Sequence, residues 1–74
     1  MHKVIRKVGN WEFIKDEFMG VTNFVNKDIK YQSLANTGYE AIEEMGLINK
    51  MSDAEFIEYA EDNKSESELI NISI

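Results

Sequence analysis

The absence of cysteine from a chain of only 74 residues is the feature that most restricts its fold. Disulfides and thiolate metal sites are excluded, so one small hydrophobic core has to hold the chain together. Hydrophobic residues make up 43% of the sequence, which is enough for such a core and argues against wholesale disorder. We therefore expect a single small domain over residues 1–74. A homodimer is a further expectation, because pairing with a second copy buries more apolar surface.

The first sixteen residues have the pattern of a β-hairpin. Two β-prone runs, Lys3–Val8 and Trp11–Asp16, flank Gly9-Asn10, a dipeptide that suits a two-residue turn. Counting outward from this turn predicts a register with two apolar pairs and two pairs of opposite charge, as cross-strand pairing favours. The predicted pairs are Val8–Trp11, Lys7–Glu12, Arg6–Phe13, Ile5–Ile14 and Lys3–Asp16.

Residues 11–25 leave a second interpretation open. Their apolar members recur at helical spacing, which would suit one long helix. These members are Trp11, Ile14, Phe18, Val21 and Val25. Gly20 and the β-branched pair Val21-Thr22 disfavour a helix there, so the hairpin is preferred and Phe18–Val25 is a candidate third strand.

Two helices are predicted in the second half of the chain. The first covers about Ser33–Met45, with either Ser33 or the capping box Thr37-Gly38-Tyr39-Glu40 at its start and Gly46 ending it. The second begins at another capping box, Ser52-Asp53-Ala54-Glu55, and runs to about Asp62 or Asn63.

The last residues alternate in polarity. Lys64–Glu68 is polar and is interpreted as a linker, after which Ile70, Ile72 and Ile74 alternate with polar residues, a pattern typical of a half-buried strand. The N-terminal hairpin is the only sheet available for that strand to join. The predicted fold is therefore α+β, with a short antiparallel sheet (N-terminal hairpin plus C-terminal strand) packed against two helices.

Several function classes are disfavoured by what the sequence lacks. The single histidine, His2, stands beside the terminus, and there is no thiol, glycine-rich phosphate loop or zinc-ligand spacing. Residues 62–66 resemble a calcium loop, but Lys64 stands at a ligand position and the required glycine is missing. We expect no catalytic activity, cofactor or metal. No apolar run is long enough to span a membrane, so a cytoplasmic protein is predicted.

Charge is distributed unevenly along the chain. Residues 1–30 carry a net charge of +2 and residues 31–74 carry −8, which together give −6. Lys3, Arg6 and Lys7 lie near aromatic residues, as in some single-strand nucleic-acid binders, but the overall negative charge disfavours direct nucleic-acid binding. An acidic surface of this kind attracts basic protein surfaces instead.

The carboxylates of the two predicted helices form the candidate binding surface. In the first helix Ala41, Ile42 and Met45 make the predicted apolar face, and in the second Phe56, Ile57 and Ala60 do so. The carboxylates are then left on the outer faces, at spacings where like charges repel one another. The candidate partner-binding residues are Glu40, Glu43, Glu44, Glu55, Glu58, Glu61 and Asp62.

In its small size, its acidity, its lack of cysteine and proline and its richness in Asn, Lys and Ile, the chain resembles small early proteins of bacteriophages that infect low-GC Gram-positive hosts. This resemblance covers the composition of the whole chain and rests on no motif. It implies a DNA mimic or host-takeover inhibitor, with targets such as the nucleoid protein HU or a host nuclease or restriction system. The hypothesis is a non-enzymatic inhibitor whose carboxylates imitate DNA phosphates on a basic host DNA-binding protein. The alternative is an adaptor module that binds through apolar surface or through the edge of the C-terminal strand.

Overall fold

The computed structural model describes the backbone of residues 2–73 and the side chains of residues 2–68. Four strands come first and form one antiparallel sheet in the order β1-β2-β3-β4, and two helices follow. The elements are β1 (His2–Val8), β2 (Trp11–Asp16), β3 (Thr22–Asn26), β4 (Tyr31–Gln32), α1 (Gly38–Lys50) and α2 (Asp53–Ser73). The predicted α+β class is confirmed, and every strand precedes the helices in the chain.

The N-terminal hairpin is confirmed, and the helical interpretation of residues 11–25 is wrong. Val8 lies opposite Trp11, Lys7 opposite Glu12 and Arg6 opposite Phe13, as the count from the turn predicts. The register then shifts between Val4 and Arg6, so the predicted pairs Ile5–Ile14 and Lys3–Asp16 are wrong. Val4 instead faces Ile14, Lys3 faces Lys15, and His2 faces Asp16. A bulge leaves one residue of a strand without a partner, and Ile5 packs against the core.

The third strand is shorter than its apolar run. β3 begins at Thr22, while Phe18 and Met19 belong to the turn between β2 and β3. The Asp16 side chain accepts hydrogen bonds from the backbone N–H groups of both turn residues, at 2.8 and 3.0 Å. Local capture of these N–H groups favours a turn over a longer strand.

One face of the sheet forms the core with both helices. Trp11, Phe13 and Phe24 project from this face and are buried against three side chains of the helices. Those helix residues are Ile48 of α1 and Phe56 and Ala60 of α2. The ring centroids of Phe24 and Phe56 are 5.7 Å apart in a tilted arrangement. The sheet therefore determines which face each helix turns inward.

α1 extends beyond its predicted end. It covers Gly38–Lys50, so of the two predicted starts Thr37 is correct and Ser33 is wrong, and the predicted end at Met45 and Gly46 is also wrong. Asn36 exchanges two backbone hydrogen bonds with Thr22, which keeps the preceding segment extended. Thr37 is the N-cap residue, although its side chain makes no capping hydrogen bond. The helix continues through Gly46 because burial of Ile48 outweighs the cost of glycine in a helix, about 1 kcal/mol.

α2 is longer than predicted, and its start is confirmed. The Ser52 N–H donates to Glu55 Oε1 at 3.1 Å, and the Glu55 N–H donates to Ser52 Oγ at 3.2 Å. The helix does not end near Asp62 but runs to Ser73, so the predicted linker and the predicted C-terminal strand are both wrong. Lys64 forms an i,i+4 ion pair with Glu68, and without glycine or proline after Asn63 nothing breaks the helix. Ile74, the last residue of the predicted strand, lies outside the described residues.

Candidate protein-binding surface

Arg6 is used inside the fold rather than on a basic surface. Its Nη1 donates to the backbone carbonyls of Ile48 at 2.6 Å and Met51 at 2.7 Å, and its Nη2 pairs with Asp53 Oδ1 at 2.9 Å. The guanidinium carbon also lies 5.1 Å from the centroid of the Phe56 ring. Arg6 thereby satisfies carbonyls at the end of α1 and ties β1 to the start of α2.

Glu44 lies on the inside of the fold, which corrects its predicted position on the outer face. It is only 6% exposed, and its two carboxylate oxygens accept hydrogen bonds from Thr22 Oγ1 at 3.0 Å and from the Tyr59 hydroxyl at 3.1 Å. The buried residues of α1 are Ala41, Glu44 and Ile48, spaced by three and four. Extension of the helix to Ile48 selects this stripe and leaves Ile42, predicted to be inside, 61% exposed.

The Tyr59 hydroxyl remains a hydrogen-bond donor at neutral pH. Burial of the ring, together with the negative charge and the hydrogen bond of Glu44, raises the pKa of Tyr59 above its ordinary value. Glu44 is thus held by two neutral hydroxyl donors, one from β3 and one from α2, and it links the sheet to both helices.

The carboxylates predicted on α2 are exposed and three of them lie together. Glu55, Glu58 and Asp62 line one shallow depression of about 240 Å³, whose other lining residues are Met51 and Tyr59. Because α2 continues past residue 63, Glu66 follows Asp62 by four residues and extends the same helix face. We call Glu55, Glu58, Asp62 and Glu66 the α2 row. Sequence reasoning missed Glu66 because it assigned residues 64–68 to a linker.

The remaining predicted residues lie elsewhere. Glu61 lines a separate depression of about 290 Å³ with Trp11, Asn26 and Lys64 among its neighbours. Glu40 and Glu43 are exposed on α1. The seven predicted carboxylates are therefore not one surface, and the α2 row is the set that the fold brings together.

The α2 row has no compensating cations among the residues whose side chains are described. The three ion pairs within residues 2–68 are Arg6–Asp53, Lys27–Glu12 and Lys64–Glu68, and none includes a member of the row. Glu55 also serves the helix start: its hydrogen bonds with the backbone and side chain of Ser52 lower the pKa of its carboxyl group. All four members are exposed and open to a partner.

A second feature of the surface is an apolar turn. Phe18 is 93% exposed and Met19 is 71% exposed. The turn is nevertheless held by hydrogen bonds to Asp16: its carboxylate accepts from the N–H groups of Phe18 and Met19, and its backbone carbonyl accepts from the N–H group of Gly20. The two backbone hydrogen bonds from Met19 and Phe18 lower the pKa of Asp16. We call residues 17–20 the β2–β3 tip. It presents two large apolar side chains on a hydrogen-bonded turn.

In comparisons with known proteins, no family model matches the chain, and no curated protein or solved structure is significantly similar to it. Within residues 2–68, no group of three or more His, Cys, Asp or Glu side chains is arranged to hold a metal ion. Over the described residues, neither helix combines the length and the apolar character that crossing a membrane requires.

Proposed function

We propose that this chain is a non-enzymatic inhibitor that binds the basic DNA-contacting surface of a bacterial DNA-binding protein. The α2 row carries the proposal, because its carboxylates are exposed, lie on one helix face and take part in none of the ion pairs among residues 2–68. We place the inhibitor in the host cytoplasm as a bacteriophage product, with a nucleoid-associated HU-type protein as the model target.

The spacing of the row supports contact with a surface shaped for one DNA strand. Glu55 and Glu66 are eleven positions apart, which is a rise of about 16.5 Å at 1.5 Å per residue. The row thus has roughly one charge per 5.5 Å, compared with about one per 3.4 Å along a DNA strand. Its electrostatic attraction is weaker than that of DNA of equal length, so apolar contact with Met51 and Tyr59 in the same depression supplies part of the binding.

The test is capture of host proteins by a variant of the row and by a matched control. The row variant carries Glu58→Gln and Asp62→Asn, which leave the capping pair of Glu55 and Ser52 intact. The control carries Glu17→Gln and Asp28→Asn, two exposed carboxylates in the sheet half with no side-chain hydrogen bond or ion pair among residues 2–68. Both variants have a net charge two units less negative than the wild type.

Each immobilised protein is incubated with nuclease-treated bacterial lysate, and the captured proteins are identified by mass spectrometry. We expect the wild type and the control to retain a basic DNA-binding protein that the row variant loses. Duplex DNA should displace it, and capture should weaken as ionic strength rises, because exposed charges are screened beyond about 8 Å at physiological salt. Capture of a nuclease or restriction subunit would identify a different target for the same row. Equal loss by the control, or no displacement by DNA, would overturn the proposal.

The β2–β3 tip supports a second candidate function, that of an adaptor that inserts Phe18 and Met19 into an apolar pocket of another protein. Large apolar side chains on a turn already held by hydrogen bonds lose little conformational entropy on binding. The variant Phe18→Ser/Met19→Ser should keep the fold, since neither side chain is buried. If this variant loses the captured partner while the row variant keeps it, the adaptor function replaces the inhibitor.

A further inference from the structure

The inward position of Glu44 has a consequence for ligand binding. Beside this residue lies a partly open cavity of about 210 Å³, lined by residues of β3, the segment before α1, and both helices. We call it the Glu44 cavity. This volume is of the order that a lysine or arginine side chain, with about five to seven heavy atoms, requires.

The lining of the Glu44 cavity is divided between polar and apolar groups. Glu44, Glu66, Asn36 and Asn63 provide carboxylate and amide groups. Phe24 and Leu34 provide apolar surface, and Leu34 is itself largely exposed. Such a lining suits a ligand with a methylene stem and a terminal group that donates several hydrogen bonds.

The charge of Glu44 points to the sign of that ligand. A buried carboxylate is normally balanced by a cation or a metal ion. Here its described partners are two neutral hydroxyl groups, and none of the ion pairs among residues 2–68 includes it. Each carboxylate oxygen accepts one hydrogen bond and has a lone pair to spare. An ammonium or guanidinium group entering the cavity would balance the charge and use that capacity.

We infer that the Glu44 cavity binds the side chain of a lysine or arginine presented by the basic partner. This inference rests on the proposed function, because it assigns a binding pocket to the same partner. The α2 row attracts the basic surface, and its last member, Glu66, lies in the wall of the cavity. One basic side chain of the partner then enters, with its methylenes against Phe24 and Leu34 and its cationic group near Glu44.

The probes are Nα-acetyl-lysine amide and Nα-acetyl-arginine amide, with Nα-acetyl-norleucine amide as the uncharged control, each titrated into the full chain and followed by ¹H–¹⁵N NMR. We expect the two cationic probes to shift resonances of Asn36, Asn63 and Phe24, and norleucine amide to leave them unchanged. Glu44→Gln should weaken the binding of both by at least about tenfold, which corresponds to loss of one charge-assisted contact. Glu43→Gln, the same charge change on the exposed side of α1, should bind as the wild type does.

A second variant tests the cavity without altering Glu44. Ser67→Leu places a larger apolar side chain in the wall and should also abolish binding, so the inference stays testable if Glu44→Gln fails to fold. Equal weakening by Glu43→Gln and Glu44→Gln, binding of norleucine amide, or undiminished binding by Ser67→Leu would each overturn it. The inference and the proposed function can fail separately. If Ser67→Leu still captures the DNA-binding protein and Glu58→Gln/Asp62→Asn does not, the row binds without the cavity, so the inference fails and the proposed function stands.

Discussion

The junction between sheet and helices and the outer face of α2 use charged residues for opposite purposes. At the junction, Arg6 and Glu44 are directed inward and each bonds to groups on two other elements. On α2, Glu58 and Asp62 are exposed and take part in none of the ion pairs among residues 2–68. A charge that satisfies buried polar groups holds the fold together, whereas an unpaired exposed charge slightly opposes it and remains available to a partner.

The largest effect should follow loss of the inner cation. Arg6→Met removes the donors to the Ile48 and Met51 carbonyls, so we expect the free energy of unfolding to fall by about 2–4 kcal/mol. Lys7→Met, its exposed neighbour on the opposite face of β1, should change it by less than about 0.5 kcal/mol. Urea denaturation measures both. Equal effects of the two substitutions would remove the distinction between inner and outer charges.

Loss of the inner carboxylate should rank second. Glu44→Ala leaves the hydroxyls of Thr22 and Tyr59 without their acceptor, which should cost about 2 kcal/mol of unfolding free energy. Glu43→Ala is the matched outer control, with an expected change below about 0.5 kcal/mol.

A triple variant sharpens this result. If Glu44 contributes only by satisfying its two partners, Glu44→Met with Thr22→Val and Tyr59→Phe should recover most of the lost stability, since no polar group is then orphaned. Failure of the triple variant to recover would mean that the carboxylate contributes through something other than these two hydrogen bonds.

Neutralising carboxylates of the α2 row should have the opposite effect on the free energy of unfolding. Glu58→Gln/Asp62→Asn relieves repulsion between carboxylates four residues apart, so the free energy of unfolding should stay equal or rise by about 0.2–0.5 kcal/mol. Thermal unfolding at low and high salt measures the change, and the gain should shrink as salt screens the repulsion. A clear loss of stability would mean that these carboxylates have a structural role, as Glu44 does.

The smallest effect should come from Glu55, which is an exposed member of the α2 row and also forms the hydrogen-bonded cap at the start of α2. The pKa of the Glu55 carboxyl group is lower in the folded state than its ordinary value. The contribution of this carboxylate to the free energy of unfolding is therefore complete at pH values above the ordinary pKa, and it is lost as the pH falls through the folded-state pKa. We expect the wild type to be more stable than Glu55→Gln near pH 7 and the difference to vanish on acidification. Urea midpoints across this pH range measure it, and a difference that grew with acidity would contradict the assigned capping role.

Much of the local structure was predictable because the signals act over a few residues. The turn at Gly9-Asn10 and the reciprocal capping pair of Ser52 and Glu55 were placed correctly. The apolar face of Phe56 and Ala60 was also correct, since helical periodicity identifies it directly. The exposed positions of Glu55, Glu58 and Asp62 followed from that face.

The errors arose where a distant contact outweighed a local signal. Gly46 was predicted to end the first helix, but α1 continues to Lys50 because Ile48 is buried in the core. Glu44 stands four residues before Ile48, so it lies on the same buried face. Ile70 and Ile72 alternate as in a strand, yet the backbone of α2 continues through them.

The sequence by itself determined the hairpin, the start of α2, the acidity of the helical half and the absence of cysteine, because each depends on residue type or on neighbours within one turn. Only the tertiary structure decided which carboxylates became internal and which remained on the surface. The physical reason is that a carboxylate is retained inside only where donors from other elements meet it, as Thr22 and Tyr59 meet Glu44. The separation of those residues along the chain hides this arrangement from any local pattern.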